Sequence, residues 1–226
     1  MPSPILELEG VTLHSPEGNL VLEDTHWRLP VGTKCLVRTS FPHESSAFFR
    51  LCAGLLNPQL GEVRLGGEPL SPYHFTHAFL SRGALAWVPS GGGLLVNQNL
   101  LANVALPLRF VRGMSKGQAG DRAMDWLAQV GLDKLSERRP HSLTPQERWL
   151  GALARSAAFG AELWLVDAPQ GGLSPALQQR AQALMAPFLE DPFVTMLVAE
   201  DGRWLAQPLP TWLKIEAGHL TGGSTP

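Results

Sequence analysis

The stretch Cys35–Leu56, CLVRTSFPHESSAFFRLCAGLL, decides how the chain is read. An apolar run, Cys35-Leu36-Val37, passes through Pro42 and His43 into a segment where Phe48, Phe49, Leu51, Cys52, Leu55 and Leu56 recur at helical spacing. Strand, loop, helix is the expectation. Loops in this setting hold phosphates when glycines let the backbone approach and a lysine supplies charge. Here both the glycines and the lysine are missing.

Outward from that stretch, residues 5–12, 20–22 and 27–29 read as two or three antiparallel strands, broken by the turn Ser15-Pro16-Glu17-Gly18-Asn19. Glu62–Leu65 and Ala84–Val88 are short strands. Segments 100–112, 116–130 and 145–159 carry helical apolar spacing and imply a helical insert. Leu163–Val166 is a buried strand ending at Asp167, Ser174-Pro175 opens a helix, Thr195–Ala199 is a further buried strand, and Trp212–Leu220 closes as a hairpin around Gly218. Alternating strands and helices predict an α/β fold: a mixed sheet core with parallel strands at its centre, antiparallel N-terminal strands and an inserted helical subdomain. We expect one domain, with residues 1–90 and 160–226 as α/β core and 91–159 as helical subdomain.

Composition narrows the function classes. With 44% hydrophobic residues in 226, the chain has enough apolar material for an ordinary packed core. Only 17% of residues are charged, against about 25% on average, so part of the surface is expected to meet a partner. A net charge of −2 without a basic block excludes a nucleic-acid footprint. Cys35 and Cys52 lie in apolar stretches and read as buried thiols of a reducing compartment. No apolar run approaches the ~20 residues that span a bilayer. The protein is therefore expected to be cytoplasmic, reaching the membrane through another subunit. Its seven histidines show no metal spacing, and no metal is expected.

The order and spacing of several landmarks resemble the nucleotide-binding domain of an ABC transporter over roughly residues 5–220: AGLLNPQLGEVRLGG at 53–67, NLLANVALPLRF at 99–110, RRPHSL at 138–143, ALARSAA at 152–158, LWLVDAP at 163–169 and GGLSP at 171–175. The resemblance implies a fold of the phosphate-loop ATPase type and places the family's phosphate loop on TSFPHESSA, residues 39–47. The family's three glycines then correspond to Thr39, Pro42 and Glu44, its lysine to Ser45, and its two hydroxyl residues to Ser46 and Ala47. A Cβ at each former glycine crowds a phosphate, Pro42 has no N–H to donate, and Glu44 sets a carboxylate beside it. Each lost charge-assisted hydrogen bond is worth about 1.5–3 kcal/mol, so losing the lysine and one or two amides together moves a micromolar site to roughly millimolar or weaker. The competing reading is a surface loop that merely turns strand into helix.

The other family positions depart in the same sense. Ser90 stands for the glutamine that reaches Mg²⁺ and the attacking water, and is too short for it. The signature motif falls on Leu143–Glu147, where Thr144 as N-cap, Pro145 at N1 and Glu147 at N3 form a capping box by sequence alone. Asp167 matches the Mg²⁺-organising aspartate, but Ala168 replaces the general base, a loss of about 10²–10⁴ in rate. Ser174 replaces an aspartate that communicates across the dimer, and a helix cap accounts for it. Glu200 replaces the switch histidine.

The resemblance thus implies a catalytically degenerate subunit with no catalytic residue. It would be a structural or regulatory partner of a second, competent ATPase in a heterodimer and of a transmembrane permease, in a lipid-transport branch. No cofactor is expected. One alternative is a weak ATPase keeping ATP and Mg²⁺ through Thr39, Ser45, Ser46 and Asp167; another is a free-standing soluble regulator.

Overall fold

In the computed structural model, residues 4–70, 85–169, 171–199 and 204–224 are described, apart from the side chain of Pro42. The first sheet is antiparallel, with order β2 (Leu20–Pro30), β1 (Pro4–His14), β4 (Leu60–Leu65), β5 (Glu68–Pro69). The expected two or three N-terminal strands are two long ones. Their register shifts near Val11, opposite Thr25, and Asp24 takes a left-handed φ of 37° there, so one irregular strand looks like two in sequence.

The second sheet has order β10 (His219–Ser224), β9 (Thr211–Glu216), β3 (Lys34–Thr39), β8 (Thr195–Ala199), β7 (Leu163–Val166), β6 (Leu85–Val88). All neighbours are parallel except β9 and β10, which form the expected closing hairpin. Ala217 and Gly218 turn it with φ of 50° and 84°. β7 and β8 are buried on both faces, which is why they read as unbroken apolar runs.

Alternate residues of these strands feed two cores. Trp164, Val166, Met196 and Val198 join the helical side, made by α2 (Leu100–Phe110), α3 (Lys116–Gln129), α4 (Pro145–Phe159) and α5 (Pro175–Glu190). Leu163, Leu165, Leu197, Cys35 and Val37 join the opposite side, against α1 (Pro42–Cys52) and the antiparallel sheet. The helices between β6 and β7 therefore share one buried cluster with the sheet they are inserted into.

Two buried polar side chains lock loops to this frame. Lys34 opens β3, and its Nζ donates to the carbonyls of Gly32 (3.2 Å), Asp191 (2.6 Å) and Val194; burial pushes its pKa down. Asn103, 1% exposed in α2, accepts from the Leu95 N–H at 2.7 Å and donates to the carbonyls of Leu95 (3.1 Å) and Asn99 (3.0 Å). The glycine turn before it is packed tightly, not loose: Gly92 has φ 86°, and a Cβ there would lie 2.7 Å from the Arg148 carbonyl oxygen. Both cysteines are buried and free; burial raises Cys35 to about 11 and pushes Cys52 up as well.

Replacing the buried Asn103 by alanine removes the acceptor of the Leu95 N–H and the side-chain donor to the Leu95 and Asn99 carbonyls, so the Asn103→Ala variant is expected to lose about 1–2 kcal/mol in urea unfolding. Stability unchanged within about 0.5 kcal/mol would remove Asn103 from this role.

Candidate functional site

α1 begins earlier than the sequence suggests. Pro42 sits at N1 and Phe41 at the N-cap, so residues 42–47 are helix where a phosphate-loop conformation was expected. The reason lies in Glu44. At N3, 6% exposed, its Oε2 accepts the Phe41 N–H at 2.9 Å, while the Glu44 N–H donates to the Phe41 carbonyl at 3.1 Å. Glu44 is thus turned back onto its own helix end and does not stand in the cleft beside a phosphate, as its sequence position had suggested.

α4 starts in the same way. The Thr144 N–H donates to Glu147 Oε2 at 2.7 Å, and the Glu147 N–H donates to Thr144 Oγ1 at 3.2 Å, with Pro145 at N1. At α5, Ser174 holds the N-cap position before Pro175, yet its hydroxyl makes no capping bond. Capping chemistry therefore does not account for Ser174, contrary to the sequence expectation. Glu200 lies outside the described residues.

The tip of β3, the first turns of α1 and the ends of β6 and β7 surround a cleft of about 710 Å³. Thr39, Ser45, Ser46, Ser90, Asp167 and Ala168 all line it. Thr144, Pro145, Glu147 and Ser174 sit at other helix ends and are not among its lining.

At its centre Ser46 Oγ donates to Asp167 Oδ2 at 3.1 Å, joining α1 to the end of β7. Asp167 is fixed from several sides: its N–H donates to the Val88 carbonyl (2.8 Å), its carbonyl accepts the Trp149 indole N–H (2.9 Å), and its Oδ1 accepts the Ala168 N–H (3.1 Å). Burial raises its pKa above the ordinary value, opposed by the Ser46 hydroxyl, the backbone N–H groups of Ala168 and Ser90, and the charge of Arg50.

Sequence reasoning missed Glu17, His43 and Arg50, which also line the cleft. Arg50 was findable, since it follows Ser46 by four residues and so shares its helix face. His43 stacks on the Phe41 ring, centroids 5.5 Å apart. Glu17 arrives through the β1–β2 turn, which no local pattern aims. The cleft therefore has a cation in Arg50, an imidazole in His43, no lysine among its described lining, and a buried carboxylate already holding a hydroxyl. Among the described residues no cluster of His, Cys, Asp and Glu could hold a metal ion.

No protein-family model matches the chain. Curated relatives do. It is 30% identical over 206 residues to the lipoprotein-releasing system ATP-binding protein LolD of Pseudomonas fluorescens, covering 91% of this chain and 90% of that protein. The chain belongs to the LolD-like ATP-binding cassettes of ABC transporters. The LolD of Nitrobacter winogradskyi is 31% identical over 172 residues (74% and 73% covered), and that of Chromohalobacter salexigens 28% over 222 residues (96% and 93%). Among solved structures, the ATP-binding cassette MJ0796, a dimer bound to ADP and Pi, superposes with a TM-score of 0.82 at 21% identity, covering 97% of this chain and 98% of that one. CbiO1 of Clostridium perfringens, part of the ABC transporter complex cbiONQ, superposes with a TM-score of 0.72 at 16% identity (98% and 89%). These likenesses establish the cassette's mixed parallel and antiparallel α/β fold.

Because the pKa of Asp167 is raised, the folded cassette holds this proton more tightly than the unfolded chain does. Its contribution favours folding at low pH and is lost as pH climbs from the unfolded value of 3.8 through the folded one. The Asp167→Asn cassette is expected to lack that decline, so its stability relative to wild type improves as pH rises above 4. Denaturant unfolding from acid to neutral pH measures this; parallel profiles would contradict it.

Proposed function

We propose that this cassette is a catalytically degenerate nucleotide-binding-domain subunit of an ABC transporter, a structural or regulatory partner of a competent ATPase and a membrane permease in lipid or lipoprotein transport. The observation that carries the reading is the pair of self-closed helix ends, Phe41 N–H to Glu44 and Thr144 N–H to Glu147. A helix N-terminus receives a phosphate through unsatisfied amides and a positive dipole end. In α1 and α4 an internal carboxylate occupies that place and adds negative charge where a nucleotide would bring more.

The cleft fits ATP poorly for further reasons. Ser45 stands where the family uses a charged lysine, and Ala168 offers no proton acceptor at the end of β7. The residues that this reading counts as altered are Thr39, Pro42, Glu44, Ser45, Ala47, Ser90, Thr144, Pro145, Glu147, Ala168 and Ser174. Glu200 joins them by sequence alone. Residues 1–90 and 160–226 then form the α/β core, and 91–159 the helical subdomain that reaches the partners.

Lipid or lipoprotein transport is supported by the lipoprotein-releasing systems to which the LolD relatives belong, and assembly with other subunits by the dimeric MJ0796 and complex-forming CbiO1 neighbours. No described helix is long and apolar enough to cross a membrane. Membrane attachment, at the cytoplasmic face, would run through the permease. A groove of about 410 Å³ beside α2, bordered by Leu85, Trp87, Leu95 and Phe110, suits an apolar permease segment. Leu95 and Phe110 are 43% and 73% exposed there, next to Val96 at 75%. A second reading, a weak ATPase, is favoured by the Ser46–Asp167 pair, which retains two groups able to organise Mg²⁺.

Titrating the purified cassette with Mg-ATP decides between them. The degenerate subunit shows no saturable binding and no thermal shift below roughly millimolar nucleotide, while the Glu44→Gly/Ser45→Lys variant recovers measurable binding. Micromolar binding by the wild type would overturn the proposal.

A further inference from the structure

On the other flank of α2 lies a second groove, of about 820 Å³, between that helix, the start of α3 and the turn at 137–139. Its floor includes the small side chains Ala102 and Ala105, and its rim carries Arg109, Lys116 and Arg139, all exposed. None of the three forms an ion pair among the described residues. The one carboxylate in the described lining, Glu137, accepts the Asn99 Nδ2 donor at 2.8 Å. Arg109 is held at the rim with its guanidinium 5.4 Å from the Phe110 ring centroid.

This is a local reversal of charge. The whole chain has 18 basic and 20 acidic residues, yet three cations face this groove against one committed carboxylate. The adjoining start of α3 adds no free anion site, because Ser115 and Gln118 already close it with a capping box. Attraction here comes from separated side-chain charges above an alkyl floor.

We propose that this groove docks an acidic amphipathic segment of a partner protein. An apolar side chain of that segment lies on Ala102 and Ala105, and carboxylates on either side meet Arg109, Lys116 and Arg139. Charge complementarity selects the partner, and the concave alkyl floor favours a peptide over the flat headgroup surface of an anionic bilayer. The inference goes beyond the nucleotide reading and holds whether or not the cassette binds ATP.

The test uses the full chain, labelled for amide NMR, with a short amphipathic helical peptide bearing leucines flanked by glutamates, and its counterpart with lysines for the glutamates. The glutamate peptide is expected to bind roughly tenfold tighter than the lysine peptide and to shift the amides of Ala102, Ala105 and Gly120. The Arg109→Gln/Arg139→Gln variant should weaken the glutamate peptide, and the Arg109→Glu/Lys116→Glu/Arg139→Glu variant should reverse the preference. Equal binding of both peptides, binding of neither, or shifts confined to the α1 cleft would overturn the proposal. So would flotation of the chain with phosphatidylglycerol vesicles while both peptides leave the spectrum unchanged.

Discussion

The first amides of a helix need acceptors, and the chain can supply these itself or leave them for a ligand. In α1 and α4 a glutamate at N3 folds back to the N-cap N–H, at 2.9 Å and 2.7 Å. The two helices come from distant parts of the chain and end at different places in the fold. They share a proline at N1 and a carboxylate two residues later. That short pattern starts both helices without outside help, and it puts a fixed negative charge at the end where an anion would bind.

Around these closed ends the cassette frame is intact. β3 and β7 flank β8 in register, Lys34 ties the loops at the base of β3, and Ser46 reaches Asp167 across the cleft. Two grooves of different character flank α2. Asn103, a buried residue of that helix, holds the preceding loop in place beside both.

Much of this was legible in the sequence because it is local. The Thr144/Glu147 capping box, the buried runs at 163–166 and 195–199 and the Gly218 hairpin depend on neighbours a few residues apart, and each forms as read. The start of α1 was less legible. By the order of its landmarks the sequence sets Glu44 in a phosphate loop, whereas its backbone partner three residues earlier makes it a cap although Phe41 has no side-chain acceptor to complete the usual box. Ser174 misled in the opposite direction, holding a cap position without a cap bond. Glu17, Asn103 and the cationic rim of Arg109, Lys116 and Arg139 depend on tertiary placement, for which spacing carries no signal.

The central claim is that the chain's own carboxylates fill both helix ends before any nucleotide arrives. Residue-resolved amide hydrogen exchange at Phe41 and Thr144, with and without Mg-ATP, tests it most directly. The account predicts that both amides are protected in the free cassette and stay so when nucleotide is added. Fast exchange of either amide in the free protein, slowed by Mg-ATP, would contradict it.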